Sequence, residues 1–158
     1  MRLIRYKTND AIFFGHLTSA KKIYSLIHMG SDAIEIINTF MENKISPKLH
    51  DSGHKFEDIE LLSPLPKPNS LRDAYAFKNH VIASRKNRGL DMIPEYDDFP
   101  IYYYSNHNSV FGPGNLYFHQ NYFKKLDFEL ELAVVIGKKG IDINAKDADD
   151  YIFGFMIM

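Results

Sequence analysis

The segment Asp127-Phe-Glu-Leu-Glu-Leu-Ala-Val-Val-Ile-Gly137 constrains the fold more than any other part of the chain. Its period of two predicts a β-strand with Asp127, Glu129, Glu131, Ala133 and Val135 on one face and Phe128, Leu130, Leu132, Val134 and Ile136 on the other. Three carboxylates line up on one side. Alternate residues on a strand face stand about 6.5–7 Å apart, so these charges repel one another wherever water is partly excluded. Beyond Glu131 both faces become apolar, which is the pattern of a central strand. The acidic half then has two readings. It is either the seat of a divalent cation, with hard oxygen ligands suited to Mg²⁺, Mn²⁺ or Ca²⁺, or an acidic face without a ligand, because Glu-X-Glu alone is a weak pattern.

Composition narrows the chemistry. The 158 residues contain no Cys, which excludes disulfides, thiolate catalysis and Cys-ligated zinc or iron–sulfur sites. Any metal must sit on oxygen or nitrogen ligands. Lys and Arg total 19 against 20 Asp and Glu, so no global field recruits nucleic acid or an anionic membrane. A small molecule at a local site is the expected partner. No segment approaches the roughly 20 apolar residues of a membrane helix, and the N-terminus has no uninterrupted apolar signal core, so the expected location is cytoplasmic. Twelve Phe and ten Tyr supply bulk for a core.

The pattern of elements predicts an α+β chain in two blocks. Residues 2–7, 11–18 and 22–28 read as short strands. Asp32 begins a helix with Glu35 three residues on as a capping box; Ala33, Ile37, Phe40 and Met41 follow at helical spacing, and the helix should end near Asn43, ahead of Pro47. A polar stretch over 48–54 leads into a predicted strand over 56–62. Ser63-Pro-Leu-Pro-Lys-Pro-Asn69 holds three of the seven prolines and is the expected connection between a small β-rich module, 1–65, and a second domain, 66–158.

In the second block Ser70 is a good N-cap for a helix running to about Arg88, before Gly89. Asp73, Phe77 and His80 would share one side of it. By position Asp73 reads as a helix-start charge and His80 as a satisfied or solvent-facing histidine, and neither is diagnostic by itself. Ile101–Tyr104 should be a strand and Phe111-Gly-Pro-Gly114 a tight turn. The apolar run Tyr151–Met158 reads as a buried strand with something after it, so the chain is expected to be truncated.

Taken together, these motifs carry a resemblance. Leu126–Gly137, the expected helix Asp147-Ala-Asp-Asp-Tyr-Ile and Phe153–Met158 resemble the metal-binding core of the fumarylacetoacetate hydrolase family. Arg72–His80 and Ser109–Gly114 stand upstream in the order that family shows, and the likeness covers about residues 60–158. It implies a mixed β-roll catalytic domain, begun here after the N-terminal module and left incomplete. Glu129 and Glu131 resemble the paired metal ligands, and Asp73 an additional carboxylate ligand. His80 is similar to the histidine that activates a water, Tyr75 and Tyr103 fall where the family contacts substrate, and the four ligand and base residues should surround one cleft.

The implied activity is metal-dependent hydrolysis of a C–C bond in a 1,3-diketo acid of fumarylacetoacetate or acylpyruvate type, with Mg²⁺ as the first choice of ion and a homodimer as the full-length assembly. Decarboxylation, dehydration or tautomerisation on the same metal-enolate site is the alternative, and an inactive fragment is another. In the family the terminal apolar run continues into an Asn-Asp-Trp-Ser-Ala-Arg-Asp-like segment that completes the metal site. The glutamate partner of the histidine, and a lysine and an arginine that bind substrate, also lie downstream there. Many bacterial relatives carry a lysine before the Gly-Pro-Gly turn. Here that loop reads Ser105-Asn-His-Asn108, with His107 as a polar contact or a surface residue. The 158-residue form by itself is expected to be a poor enzyme that self-associates through Tyr151–Met158.

Overall fold

In the computed structural model, which describes residues 1–43 and 50–158, the chain opens with a hairpin of β1 (Leu3–Thr8) and β2 (Ala11–Leu17). Asn9 and Asp10 make the two-residue turn with φ of 47° and 63°, the left-handed pair that matches strand twist and that Asn and Asp tolerate best after Gly. β3 (Lys22–Ser25), β4 (His50–Lys55) and β5 (Glu60–Leu62) complete a five-stranded sheet of order β4-β3-β2-β1-β5, with every described pairing antiparallel. Ile4, Tyr6, Leu17 and Ile23 form one buried cluster, with Phe13, Phe56, Ile59 and Leu61 packed against it.

Helix α1 (Ala33–Asn43) buries Ala33, Ile36 and Ile37, and Ile36 joins Leu26 and Met29 in a second cluster. The cap predicted at Asp32 forms: its Oδ1 accepts the Ile34 and Glu35 N–H groups at 2.8 and 2.9 Å. Glu35 reaches back one residue further than a capping box requires, its Oε2 accepting from the Ser31 N–H and hydroxyl. Pro47, Lys48 and Leu49 lie outside the described residues. The expected polar stretch at 50–54 is instead strand β4. Its register against β3 shifts between Lys22 and Tyr24, Gly53 takes up φ of 73°, and the Tyr6 hydroxyl meets His54 Nδ1 at 2.9 Å. The strand predicted over 56–62 is shortened by a 3₁₀ turn at Phe56–Asp58.

The described residues form two compact units, Met1–Pro64 with Phe111–Met158, and Leu65–Val110. The first boundary falls in the Pro-rich connection, whereas the sequence division keeps 66–158 together. Within the first unit, β8 (Leu132–Ile136) pairs antiparallel with β9 (Ile152–Ile157) after a 3₁₀ helix, Ala145–Tyr151, that takes the place of the helix expected at 147–152. Phe153 of β9 meets Phe40 of α1 edge-on, with ring centroids 5.5 Å apart. A Cβ on Gly137 would come within 2.8 Å of Phe153 and 3.0 Å of Met41, so this corner of the ribbon closes on the helix only because the residue is glycine.

Two expectations change here. β8 is five residues long, shorter than the strand expected over 127–137, and among the described residues it has one ladder partner, β9, rather than the two of the central strand its apolar faces suggested. Leu132, Val134 and Ile136 are 61%, 48% and 63% exposed, and Phe155 and Ile157 of β9 are similarly open.

In the second unit β6 (Arg72–Ala74) pairs antiparallel with β7 (Tyr102–Tyr104), and α2 spans Lys78–Asn87. The helix predicted from Ser70 therefore starts later. The Arg72–Ala74 backbone is committed to the ladder and the Tyr75 N–H donates to Ile101 O at 3.0 Å, so helical bonding begins only with Val81 N–H to Phe77 O. Asp73 and His80 consequently belong to different elements rather than to one helix face. No helix among the described residues is long and apolar enough to cross a membrane.

Candidate metal centre

Glu131 is fixed by the first rung of the β8–β9 ribbon. Its N–H donates to Met158 O at 2.8 Å and its carbonyl accepts the Met158 N–H at 3.0 Å, extending the ladder one residue beyond β8. The side chain leaves on the same face as Ala133 and Val135, the better covered of the two, and is half-buried. Residues 127–130 continue without ladder partners, and Glu129 is exposed. Asp127 turns back on its own chain, Oδ1 accepting the Phe128 N–H at 2.9 Å. The row of three carboxylates read from the sequence thus narrows to a pair, in which one carboxylate oxygen of Glu129 and one of Glu131 lie within 4.8 Å of each other.

Repulsion between two such charges is about 1 kcal/mol in water and about 3 kcal/mol at an effective dielectric constant of 20. With Glu129 exposed, the pair stands near the lower figure. What singles the pair out is its donor chemistry: hard, anionic oxygen, convergent on one point, with no cysteine in the chain. That donor set fits Mg²⁺, Mn²⁺ or Ca²⁺ and disfavours softer ions.

The remaining candidates lie in the second unit. Asp73 is half-buried at the centre of β6, directly opposite Tyr103, whose hydroxyl donates to Asp73 Oδ2. Tyr75 is half-buried just beyond β6, and its carbonyl accepts the Tyr96 hydroxyl at 2.7 Å. His80 is exposed in the first turn of α2, where its imidazole makes no hydrogen bond or ion pair among the described residues. His107 is half-buried in a loop closed by Asn106, whose Nδ2 donates to Ser109 Oγ at 2.8 Å. Sequence reading missed the Asp73–Tyr103 pair, as well as the Arg72 guanidinium lying 5.1 and 5.2 Å from the rings of Tyr102 and Tyr104. Both depend on the β6–β7 register, for which the triple tyrosine was the only signal.

A family model described as fumarylacetoacetate (FAA) hydrolase C-terminal matches residues 70–158. The chain belongs to the fumarylacetoacetate hydrolase family. It is 32% identical over 118 residues to the oxaloacetate tautomerase YisK of Bacillus subtilis, covering 73% of this chain and 37% of that protein. It is likewise 32% identical over 93 residues to an uncharacterized protein of Pyrococcus abyssi, covering 56% of this chain and 41% of the other. Among solved structures, the fumarylacetoacetate hydrolase of Exiguobacterium antarcticum superposes with a TM-score of 0.67 at 20% identity, over 99% of this chain and 54% of that one. The likeness in structure establishes the α+β fold of the family. The chain spans less than half the length of these curated relatives and about half of the solved neighbour.

Proposed function

We propose that this chain contributes cation ligands and a proton-transfer group to an enzyme that acts on a 1,3-diketo or 2-oxo acid with the help of a divalent cation, Mg²⁺ before Mn²⁺ or Ca²⁺. The observation that carries the reading is the convergence of Glu129 and Glu131, with Glu131 locked by reciprocal backbone bonds. Asp73 is assigned as a third oxygen ligand on the strength of the family resemblance. When bound, the ion supplies Lewis-acid charge that draws electron density from the substrate's oxygens.

His80, exposed at the start of α2, accepts a proton: from a water that attacks the distal carbonyl in hydrolysis, or from the carbon between two carbonyls in tautomerisation. Tyr75 and Tyr103 are assigned to the substrate side of the site. Cleavage of a C–C bond in an acylpyruvate-type acid is the first reading, and a homodimer is the proposed assembly. Tautomerisation is the second, favoured by the similarity to a protein named as an oxaloacetate tautomerase.

Product analysis separates the two. The full-length protein is incubated with an acylpyruvate and with oxaloacetate in parallel, each with and without chelator. Hydrolysis gives pyruvate and a carboxylic acid from the acylpyruvate; tautomerisation interconverts the keto and enol forms of oxaloacetate with no loss of carbon. Either activity should vanish with chelator and in Glu131→Gln. Chelator-insensitive turnover, or full activity in that variant, would overturn the assignment.

A further inference from the structure

Tyr103 stands opposite Asp73 in the β6–β7 ladder and spends its hydroxyl on that carboxylate. The placement is braced from the other side of the ribbon. Arg72 is paired with Tyr104 in the same ladder, and its guanidinium lies over both Tyr102 and Tyr104, whose rings meet edge-on with centroids 5.8 Å apart. Two strands of three residues have little stability of their own, so these stacking contacts help to hold the register that brings Tyr103 to Asp73.

The terminal torsion of an aspartate is broad, and a ligating carboxylate without a second partner loses that freedom on binding. A phenol suits this task because it donates one directed bond and carries no positive charge to compete with a cation. With Oδ2 accepting from Tyr103, the plane of the carboxylate is held in one orientation.

We infer that Tyr103 is a positioning residue for the cation site, orienting the Asp73 carboxylate through its hydroxyl in addition to any contact with substrate. The inference rests on the proposed assignment of Asp73 as a cation ligand and goes beyond it by naming what aims that ligand. Removing such an outer partner typically weakens metal affinity by about 10- to 100-fold.

The test is a Mn²⁺ titration of the full-length protein, followed by paramagnetic resonance of the free ion, on wild type, Tyr103→Phe, Asp73→Asn and the double variant, with KM measured alongside. Phe keeps the ring and its packing. Tyr103→Phe should weaken Mn²⁺ by about 10-fold. It should add nothing in the Asp73→Asn background, yet retain its effect on top of Glu129→Gln, and kcat should return when Mn²⁺ is raised to saturation. Unchanged Mn²⁺ affinity with a raised KM would assign Tyr103 to substrate alone and overturn the inference while leaving the metal site intact. An equal loss with and without Asp73 would also overturn it. A wild-type protein that binds no Mn²⁺ would remove the metal assignment itself, and the inference with it.

Discussion

The N-terminal sheet and the β8–β9 ribbon are both made of strands with alternating apolar residues, yet they end in opposite states. Ile4, Tyr6, Leu17 and Ile23 are at most 8% exposed in the first, whereas in and before the second Phe128, Leu130, Leu132 and Ile136 range from 61% to 86% exposed. The difference lies in what covers them. Phe13, Phe56, Ile59 and Leu61 pack against those four residues and α1 packs with Leu26, Met29, Leu3 and Phe14, while the ribbon pairs two strands and meets α1 at its Gly137–Phe153 corner. Alternation specifies a strand; burial requires an opposing layer. Stability is therefore concentrated in the N-terminal sheet, and the proposed ligands Glu129 and Glu131 sit where substitution should register in binding rather than in folding.

That contrast can be broken most severely in the core. Ile36→Ala, at a position with no exposure, should cost about 2–5 kcal/mol in a urea titration, against about 0.5 kcal/mol or less for Leu130→Ala at 78% exposure. Equal losses would erase the distinction. Next comes Gly112→Ala: its Cβ would lie 2.6 Å from Ser63 N and 2.7 Å from Leu62 Cα and C, all backbone atoms that cannot swing aside. A loss of about 1–3 kcal/mol is expected by the same measurement. Asp32→Ala, which strips the α1 cap of two accepted bonds, should cost about 0.5–2 kcal/mol.

A gentler probe is pH. Burial raises the Tyr6 hydroxyl above its ordinary value of 10.0, with a hydrogen bond from Ser52 acting in the other direction. The folded state therefore holds this proton more tightly than the unfolded chain does. The associated stability is complete below pH 10.0 and is lost as pH rises through the higher folded value. Thermal melts across that range should show a decline in wild type that is reduced in Tyr6→Phe; identical pH profiles would contradict it. The smallest effect is expected from chelator, which should lower the melting temperature only slightly, by the stabilisation that a bound ion lends the folded state.

Much of this organisation is legible in local sequence. The β1 and β2 strands and the Asp32 cap depend on residues close together in the chain, and each forms as the pattern implies. What local pattern misses is decided by partners far along the chain. His50–Lys55 contains no Val, Ile, Thr, Phe, Tyr or Trp, yet it is a strand because β3 offers an edge and Tyr6 a bond to His54. Arg72–Ala74 follows a good N-cap, yet it is a strand because Tyr102–Tyr104, some thirty residues on, captures its backbone. The same long-range pairing separates Asp73 from the helix of His80 and delivers it to Tyr103, so family likeness named the candidate residues while the register supplied their neighbours.

The central claim is that Glu129 and Glu131 bind a divalent cation, and it is tested most directly by Mn²⁺ binding to full-length wild type, Glu129→Gln and Glu131→Gln, with urea stability measured on the same samples. The account predicts saturable binding in wild type and a loss of at least about 10-fold in each variant, with stability changed by about 0.5 kcal/mol or less. Wild-type affinity retained in both variants would contradict it.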